Sequence, residues 1–469
     1  MNRQPYLPLL ATFGDSAMAT VFGEEGAIAA WLEVERALAA AEAELGVISA
    51  DAAAAIARAA RADAIDREAL REAARTVGYP ILPLLEQLRE ATGDGMPDEV
   101  AAAIHWGATT QDIMDTALVL QIRAALERIE ELSVGLGDHL AALARDHRST
   151  VMAGRTHAQQ AVPTTFGAKI AVWLAELGRH LDRLDSLRAR VLVVSLFGAA
   201  GTGAALGPAS RGVRHALARQ LGLRAVDVPW HTARDGIAEF GFVLGSIAAT
   251  CGKIGREVIE LSRPEIAEVR EAAGHHRGAS STMPHKANPI SSEVVVGMSI
   301  LAAHQASSLL SAMAAGHERS AGEWQVEWDA VPGLAALAAG CLLNALEIAA
   351  GLTVFPERMR ANLLVDGGML MSEGVMMKLA VHVGRSRAHD IVYGACLEAG
   401  RSGRALLDVL PERLDPALLA ALPPLGQLTS PDSYLGEAEQ TVDTALDLWR
   451  TRNVGPVRSR RQPRDGTDR

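Results

Sequence analysis

The chain has 469 residues, 49% apolar and only 4% aromatic, with a formal charge of −11. That charge argues against general nucleic-acid binding, which needs a basic face. Its three cysteines, Cys251, Cys341 and Cys396, are odd in number and far apart, which excludes a disulfide framework and a clustered thiolate metal site; they are read as buried small residues in a reducing cytoplasm.

The opening stretch MNRQPYLPLLATFGD lacks the apolar core of a signal peptide, and no segment is read as a membrane span. Residues 24–46 predict a helix, with Ala27, Trp31, Val34, Leu38, Ala41 and Leu45 on one face and Gly46 closing it. Short alanine-rich helices continue over 51–75. Gly78, Pro80 and Pro83 mark a break, and a polar turn follows at 93–97.

From about residue 112 the pattern lengthens. Residues 112–146, 160–192, 236–270, 289–316 and 331–352 each carry helical periodicity over 20 residues or more, against a globular mean of about 11–12. They predict an all-α bundle of long helices. Their apolar positions lie on most sides, which implies burial on most sides and oligomerisation through the bundle. The expected organisation is an N-terminal helical domain over 1–111, a central bundle over 112–352, a small helical C-terminal domain over 353–454 and a disordered tail over 455–469. The stretch Val191–Leu196 with FGAAGTGAALG imitates a dinucleotide-binding turn, but Gly207 falls one residue late after Gly201 and Gly203. The run before it is read as extending a helix, and the glycines as letting a loop pass close to another backbone.

Three polar islands interrupt the helices: HWGATTQDIMDT from His105, GRTHAQQAVPTT from Gly154, and GASSTMPHKANP from Gly278. Each is read as the start of a long helix, where free N–H groups and the positive dipole end favour anions. Capping alone accounts for single hydroxyls such as Thr109, Thr110, Thr156 or Ser280. It does not account for three islands that each mix hydroxyls with amides, His or Lys. Small carboxylate substrates need that set of donors. No cofactor and no metal is expected: the His275–His276 pair lacks ligand spacing on a helix, and no phosphate-binding loop is present.

The run Ser280–Pro289 resembles the signature loop of the fumarase/aspartase superfamily, and the other two islands resemble its other two conserved regions, in the same order. The resemblance covers roughly residues 10–445. It implies a three-domain all-α fold, and a homotetramer with a twenty-helix core whose active sites are each shared by three subunits. It further implies a small dicarboxylate substrate, with neither nucleic acid nor membrane as partner, in the cytoplasm. The implied chemistry is anti β-elimination through an aci-carboxylate carbanion, or its reverse.

By the same resemblance Ser280 is the base, with Lys286 and the helix start stabilising its oxyanion. Lys286 and Asn288 would hold the carboxylate whose charge grows. His157 would be the acid or leaving-group contact and Glu293 its orienting partner. Thr109, Thr110, Gln111, Thr156, Gln159, His105, Ser281 and Met283 would position substrate, and Arg234 and Arg319 would bind its anionic groups. The segment Ala272–Pro284 is expected to close over substrate.

VPWHTARDGIAEF, HERSAGEWQVEWDAVP and FGAAGTGAALG resemble the 3-carboxy-cis,cis-muconate cycloisomerase branch, as does Gly78–Pro83. That branch typically has tryptophan where this chain has His157. A histidine suits a polar leaving group, so the expected activity is C–N cleavage of a 2-substituted succinate, with nitrosuccinate, giving fumarate and nitrite, placed first. The alternatives are the cycloisomerase itself and an adenylosuccinate- or argininosuccinate-type lyase.

Overall fold

The computed structural model describes residues 13–93, 98–272, 278, 282–283 and 286–454. Among these there are nineteen α-helices and four short strands, so the chain is all-α in class. Five helices are long: α1 (Thr110–Asp146), α2 (Phe166–Val191), α3 (Asp235–Leu261), α4 (Ile290–Ser311) and α5 (Glu323–Gly351). Their ends differ from expectation for local reasons. Helix α2 starts six residues late because 159–165 is a strand; the Thr165 hydroxyl then accepts the Ala168 N–H at 3.1 Å and caps the helix. Helix α3 stops at Leu261, ahead of Pro264, which cannot continue a helix. Helix α5 begins eight residues before the expected start and carries Pro332 inside it; the Ser320 hydroxyl accepts the Trp324 N–H near its first turn.

The chain packs as two compact units: Met1–Ser133, His180–Gly252 and Val294–Leu343 in one, Val134–Arg179, Lys253–Glu293 and Asn344–Arg469 in the other. In the first, the helix Glu24–Glu44 buries Ile28, Leu32 and Leu38 with Ile56, Leu84 and Val213. The run after α2 does not extend it. Val193 instead makes an isolated parallel bridge with Arg224, and the glycine turn follows. Gly203 has φ of 61°, and a Cβ there would meet Ser210 Oγ at 2.1 Å, so only glycine fits.

In the second unit, strands β1 (Val151–Thr156) and β2 (Gln159–Thr165) form an antiparallel hairpin in register Val151↔Thr165 to Thr156↔Gln159. The short strands β3 (Val269–Arg270) and β4 (Thr353–Val354) pair likewise. A separate core of Val375, Leu379, Val392, Leu406 and Leu410 holds the C-terminal helices. Cys251 and Cys341 are buried as expected, and burial pushes the Cys341 thiol up to about 12, but Cys396 is half-buried.

Helices α3, α4 and α5 reach the length and hydropathy of membrane spans. This corrects the sequence reading, since residues 294–317 run without Asp, Glu, Lys or Arg. Packing within the chain buries 72% of the apolar window of α3 and 56% of that of α5, but only 22% of that of α4. Ile300, Leu301 and Leu310 on α4 are 52%, 49% and 65% exposed.

Candidate active site

The first island turns the chain into α1. His105 has φ of 61° and Gly107 φ of 70°, so two left-handed residues reverse the backbone just before the helix. Thr109 and Asp112 then cap reciprocally: Thr109 O accepts the Asp112 N–H at 2.9 Å and Asp112 Oδ2 accepts the Thr109 N–H at 3.1 Å. The Thr109 hydroxyl is left for another task and accepts from Arg319 Nη2 at 3.1 Å. Arg319 also donates to the Ala199 carbonyl, and its buried Nε has no partner among the described residues. His105 Nδ1 lies 2.6 Å from Glu35 Oε1. Thr109, Thr110, His105 and Arg319 are all half-buried.

Behind them stands a framework that the sequence reading missed. Asp112 is fully buried and accepts from Ser195 Oγ, Phe197 N, Gly198 N and His231 Nε2 at 2.8–3.0 Å. Burial opposes its charge, but His231 and the two N–H groups hold its carboxyl below the usual range. It thereby ties the glycine turn to the start of α1. One helical turn on, Asp115 takes Arg234 at 2.7 and 3.0 Å and Trp324 Nε1 at 3.0 Å.

Two expected substrate residues belong to this framework. Arg234 is 2% exposed, and its guanidinium is divided between Asp115 and Glu327 and stacks 4.8 Å from the Trp230 ring. Burial disfavours its charge, but the two carboxylates outweigh that and raise its pKa. Gln111 is fully buried and donates to the His231 carbonyl and Asp115. The physical reason is the same for both: the donors expected to meet substrate already satisfy buried acceptors. The aspartates of QDIMDT and the histidine of HTARDG were visible, but their partners lie 119 residues away in sequence for both His231–Asp112 and Arg234–Asp115.

The second island is a β-hairpin, not a helix start. Its two-residue loop is His157–Ala158, with φ of 49° and 61°, the positive pair of a type I′ turn normally given to Asn-Gly. Thr156, His157 and Gln159 are exposed at this tip. Arg155, just behind it, makes a two-pronged ion pair with buried Glu268 at 2.9 and 2.7 Å, and Asn362 donates to the same carboxylate at 2.8 Å. This anchor fixes where the tip stands.

Of the signature loop, Ser280, Ser281 and most of the segment expected to close lie outside the described residues. Lys286, Met283 and Glu293 are exposed. Asn288 turns inward: its N–H and its side-chain amide both donate to the Gly278 carbonyl, at 2.9 and 3.1 Å. Gly278 has φ of 65°, and a Cβ there would strike the Asn288 carbonyl at 2.4 Å. The helix start after the loop is also occupied. Glu271 accepts the Ser291 and Ser292 N–H groups and the Ser292 hydroxyl. Those N–H groups, expected to stabilise a serine oxyanion, therefore already hold a carboxylate. Glu293 makes no hydrogen bond to His157 within the one chain; both side chains are open to solvent.

Residues 12–302 match the family model described as Lyase, and residues 368–445 the one described as Adenylosuccinate lyase C-terminus. A 3-carboxy-cis,cis-muconate cycloisomerase of Pseudomonas aeruginosa is 43% identical over 438 residues, covering 93% of this chain and 95% of that protein. An N-acetyl-S-(2-succino)cysteine lyase of Dickeya dadantii is 38% identical over 435 residues, covering 92% and 94%. The 3-carboxy-cis,cis-muconate lactonizing enzyme of Pseudomonas putida has a crystal structure that matches with a TM-score of 0.89 at 39% identity, covering 96% of this chain and 100% of that one. The long helices and three polar islands, together with relatives that cover 92–96% of the chain, define an enzyme of the fumarate lyase kind. The chain belongs to the fumarase/aspartase superfamily.

Proposed function

We propose that the enzyme adds to or eliminates from a carbon beside a carboxylate, and that its reaction is a 3-carboxy-cis,cis-muconate cycloisomerisation. The observation that carries this reading is likeness to a protein of that name along 95% of its length, at 43% identity. No relative reported above acts, by its name, on a nitro compound, so nitrosuccinate loses first place among the substrates.

A second reading is elimination from a 2-substituted succinate. One observation favours it: the hairpin tip presents an exposed histidine, His157, in a left-handed conformation. An imidazole there can protonate or bind a polar leaving group, and a lyase acting on a succinylated cysteine derivative is among the full-length relatives.

In both readings Ser280 is the base and Lys286 stabilises its oxyanion together with the loop's own N–H groups. Arg319, Thr109, Thr110 and His105 hold one carboxylate. Thr156, Gln159, Asn288, Ser281 and Met283 complete the substrate contacts, and Glu293 orients His157 from another subunit. The enzyme is a cytoplasmic homotetramer in this proposal. The apolar face that α4 leaves uncovered supports the tetramer.

The test is a substrate panel followed by ultraviolet absorbance. Rapid loss of 3-carboxy-cis,cis-muconate without fumarate release from any succinate supports the first reading. Fumarate release from N-acetyl-S-(2-succino)cysteine, aspartate, argininosuccinate, adenylosuccinate or nitrosuccinate, with the muconate inert, overturns it in favour of the second.

A further inference from the structure

Glu35 and His105 lie 70 residues apart in sequence and meet in the first unit, Oε1 to Nδ1 at 2.6 Å. Glu35 sits in the middle of the Glu24–Glu44 helix with its side chain 1% exposed, and the His105 side chain is 15% exposed. His105 holds φ of 61°, which residues other than glycine rarely adopt. Helix capping does not require this, because Thr109 and Asp112 already cap α1. The left-handed residue does bring the ring onto Glu35. Its Nε2 makes no hydrogen bond among the described residues.

The charged groups around the ring come from three elements. Glu35 faces it from its own helix, Asp112 from α1 and Arg89 from the helix Ile81–Ala91. Burial works against a charged imidazole, but Glu35 and Asp112 outweigh burial and Arg89 together, so its pKa is raised. Two turns beyond Glu35, Glu42 is fully buried, and neither carboxyl oxygen has a hydrogen-bond partner among the described residues. Burial and the charge of Glu35 push its carboxyl up to about 9, so it stays neutral. The helix thus carries two buried carboxyls, and Glu35 is the one that meets His105. A carboxylate buried only for packing is a poor choice, since an apolar side chain of the same size is at least as stable.

We propose that Glu35 is a positioning residue: it locks the His105 ring through Nδ1 and presents Nε2–H as a donor to a substrate carboxylate. The proposal rests on the carboxylate-substrate reading above. Together with Arg319, it gives the first island two N–H donors from separate segments, a set suited to a planar carboxylate.

The test compares wild type, Glu35→Gln and Glu35→Asp. Succinate binding is measured by calorimetry from pH 6 to 9, and ethoxyformylation of His105 is followed by peptide mass spectrometry over the same range. In Glu35→Gln the His105 profile should move to lower pH by about one unit. Succinate affinity should then fall about tenfold at pH 8 and recover to within about twofold at pH 6. Glu35→Asp should keep the wild-type pH response. Uniform weakening at every pH, or an unmoved His105 profile, overturns the proposal, because a merely structural role predicts that result. A wild-type protein that binds neither succinate nor fumarate refutes the carboxylate-substrate reading instead. In that case a shifted ethoxyformylation profile still supports Glu35 as the group that sets the ring, and an unshifted one refutes it.

Discussion

The Glu271 carboxylate accepts both the backbone N–H and the hydroxyl of Ser292, at 2.8 and 2.6 Å through a single oxygen. Its other oxygen accepts the Ser291 N–H at 3.3 Å. These residues stand at the two stems of the signature loop, so one buried carboxylate closes the loop's base and caps α4 together. The cap is buried and its shortest contact is 2.6 Å, so losing it would leave buried donors unsatisfied.

Glu271→Ala should therefore lower stability by about 1–3 kcal/mol, and Ser292→Ala by about 1 kcal/mol. The double variant should lose less than the sum, with a coupling of at least about 0.5 kcal/mol. Thermal or denaturant unfolding of the four proteins measures this cycle. Simple additivity would show that the contact does not hold the stem.

Arg234 offers a sharper separation of roles. An arginine that binds substrate can be replaced at the cost of KM, with little change in stability. Arg234 instead neutralises Asp115 and Glu327, both about 1% exposed. Arg234→Met should leave two buried carboxyls uncompensated and destabilise the fold by about 3–5 kcal/mol. Burial already raises the Glu327 pKa in the intact network, so the variant should recover part of its loss toward acid pH, where that group is neutral. An unfolding midpoint equal to wild type with an elevated KM would return Arg234 to the substrate.

How much of this was legible in the sequence follows from the range of the interactions. The five long helices were, because each writes its own periodicity over twenty or more residues. The polar islands were, because donors crowd into short segments. The hairpin was not: its turn residues, His157 and Ala158, carry no turn signal, and the Val162–Thr165 run leads straight into a helical pattern. The fates of Arg234 and Gln111 were not legible either. Arginine and glutamine suit a substrate carboxylate and a buried aspartate equally well, and only the fold brings Glu327, 93 residues away, to Arg234. Asn288 was expected to hold a substrate carboxylate, and within the chain its side-chain amide donates to the Gly278 carbonyl.

The hairpin tip gives a paired prediction. Left-handed backbone costs a non-glycine residue about 1–2 kcal/mol, partly offset by the entropy that glycine loses on folding. Ala158→Gly should thus gain about 0.5–1 kcal/mol and keep activity. His157→Gly relieves the same kind of strain but should cut turnover by about 100-fold or more if His157 is the acid. Unfolding and turnover measured together separate strain from chemistry. Equal turnover in the two variants would remove His157 from the mechanism.

Glu42 makes the stability of the first unit fall as pH rises. Its folded-state pKa is about 9 against an ordinary 4.5, mainly because burial disfavours the carboxylate. Below about 4.5 it is protonated in both states and contributes no pH dependence. Above that the unfolded chain releases its proton while the folded chain keeps it, so the unfolded state binds fewer protons and stability falls as pH rises. The decline runs from about pH 4.5 to about 9 and levels off once the folded state also ionises. Its slope is limited to about 1.4 kcal/mol per pH unit. Glu42→Gln keeps the shape without the titration, at a desolvation cost that does not vary with pH. The stability of Glu42→Gln relative to wild type should therefore improve by about 1–3 kcal/mol between pH 5 and pH 8. Unfolding free energies at pH 5, 6.5 and 8 measure that difference. A gap that stays constant or closes with rising pH would mean that Glu42 ionises in the folded protein, with a partner that accepts its charge.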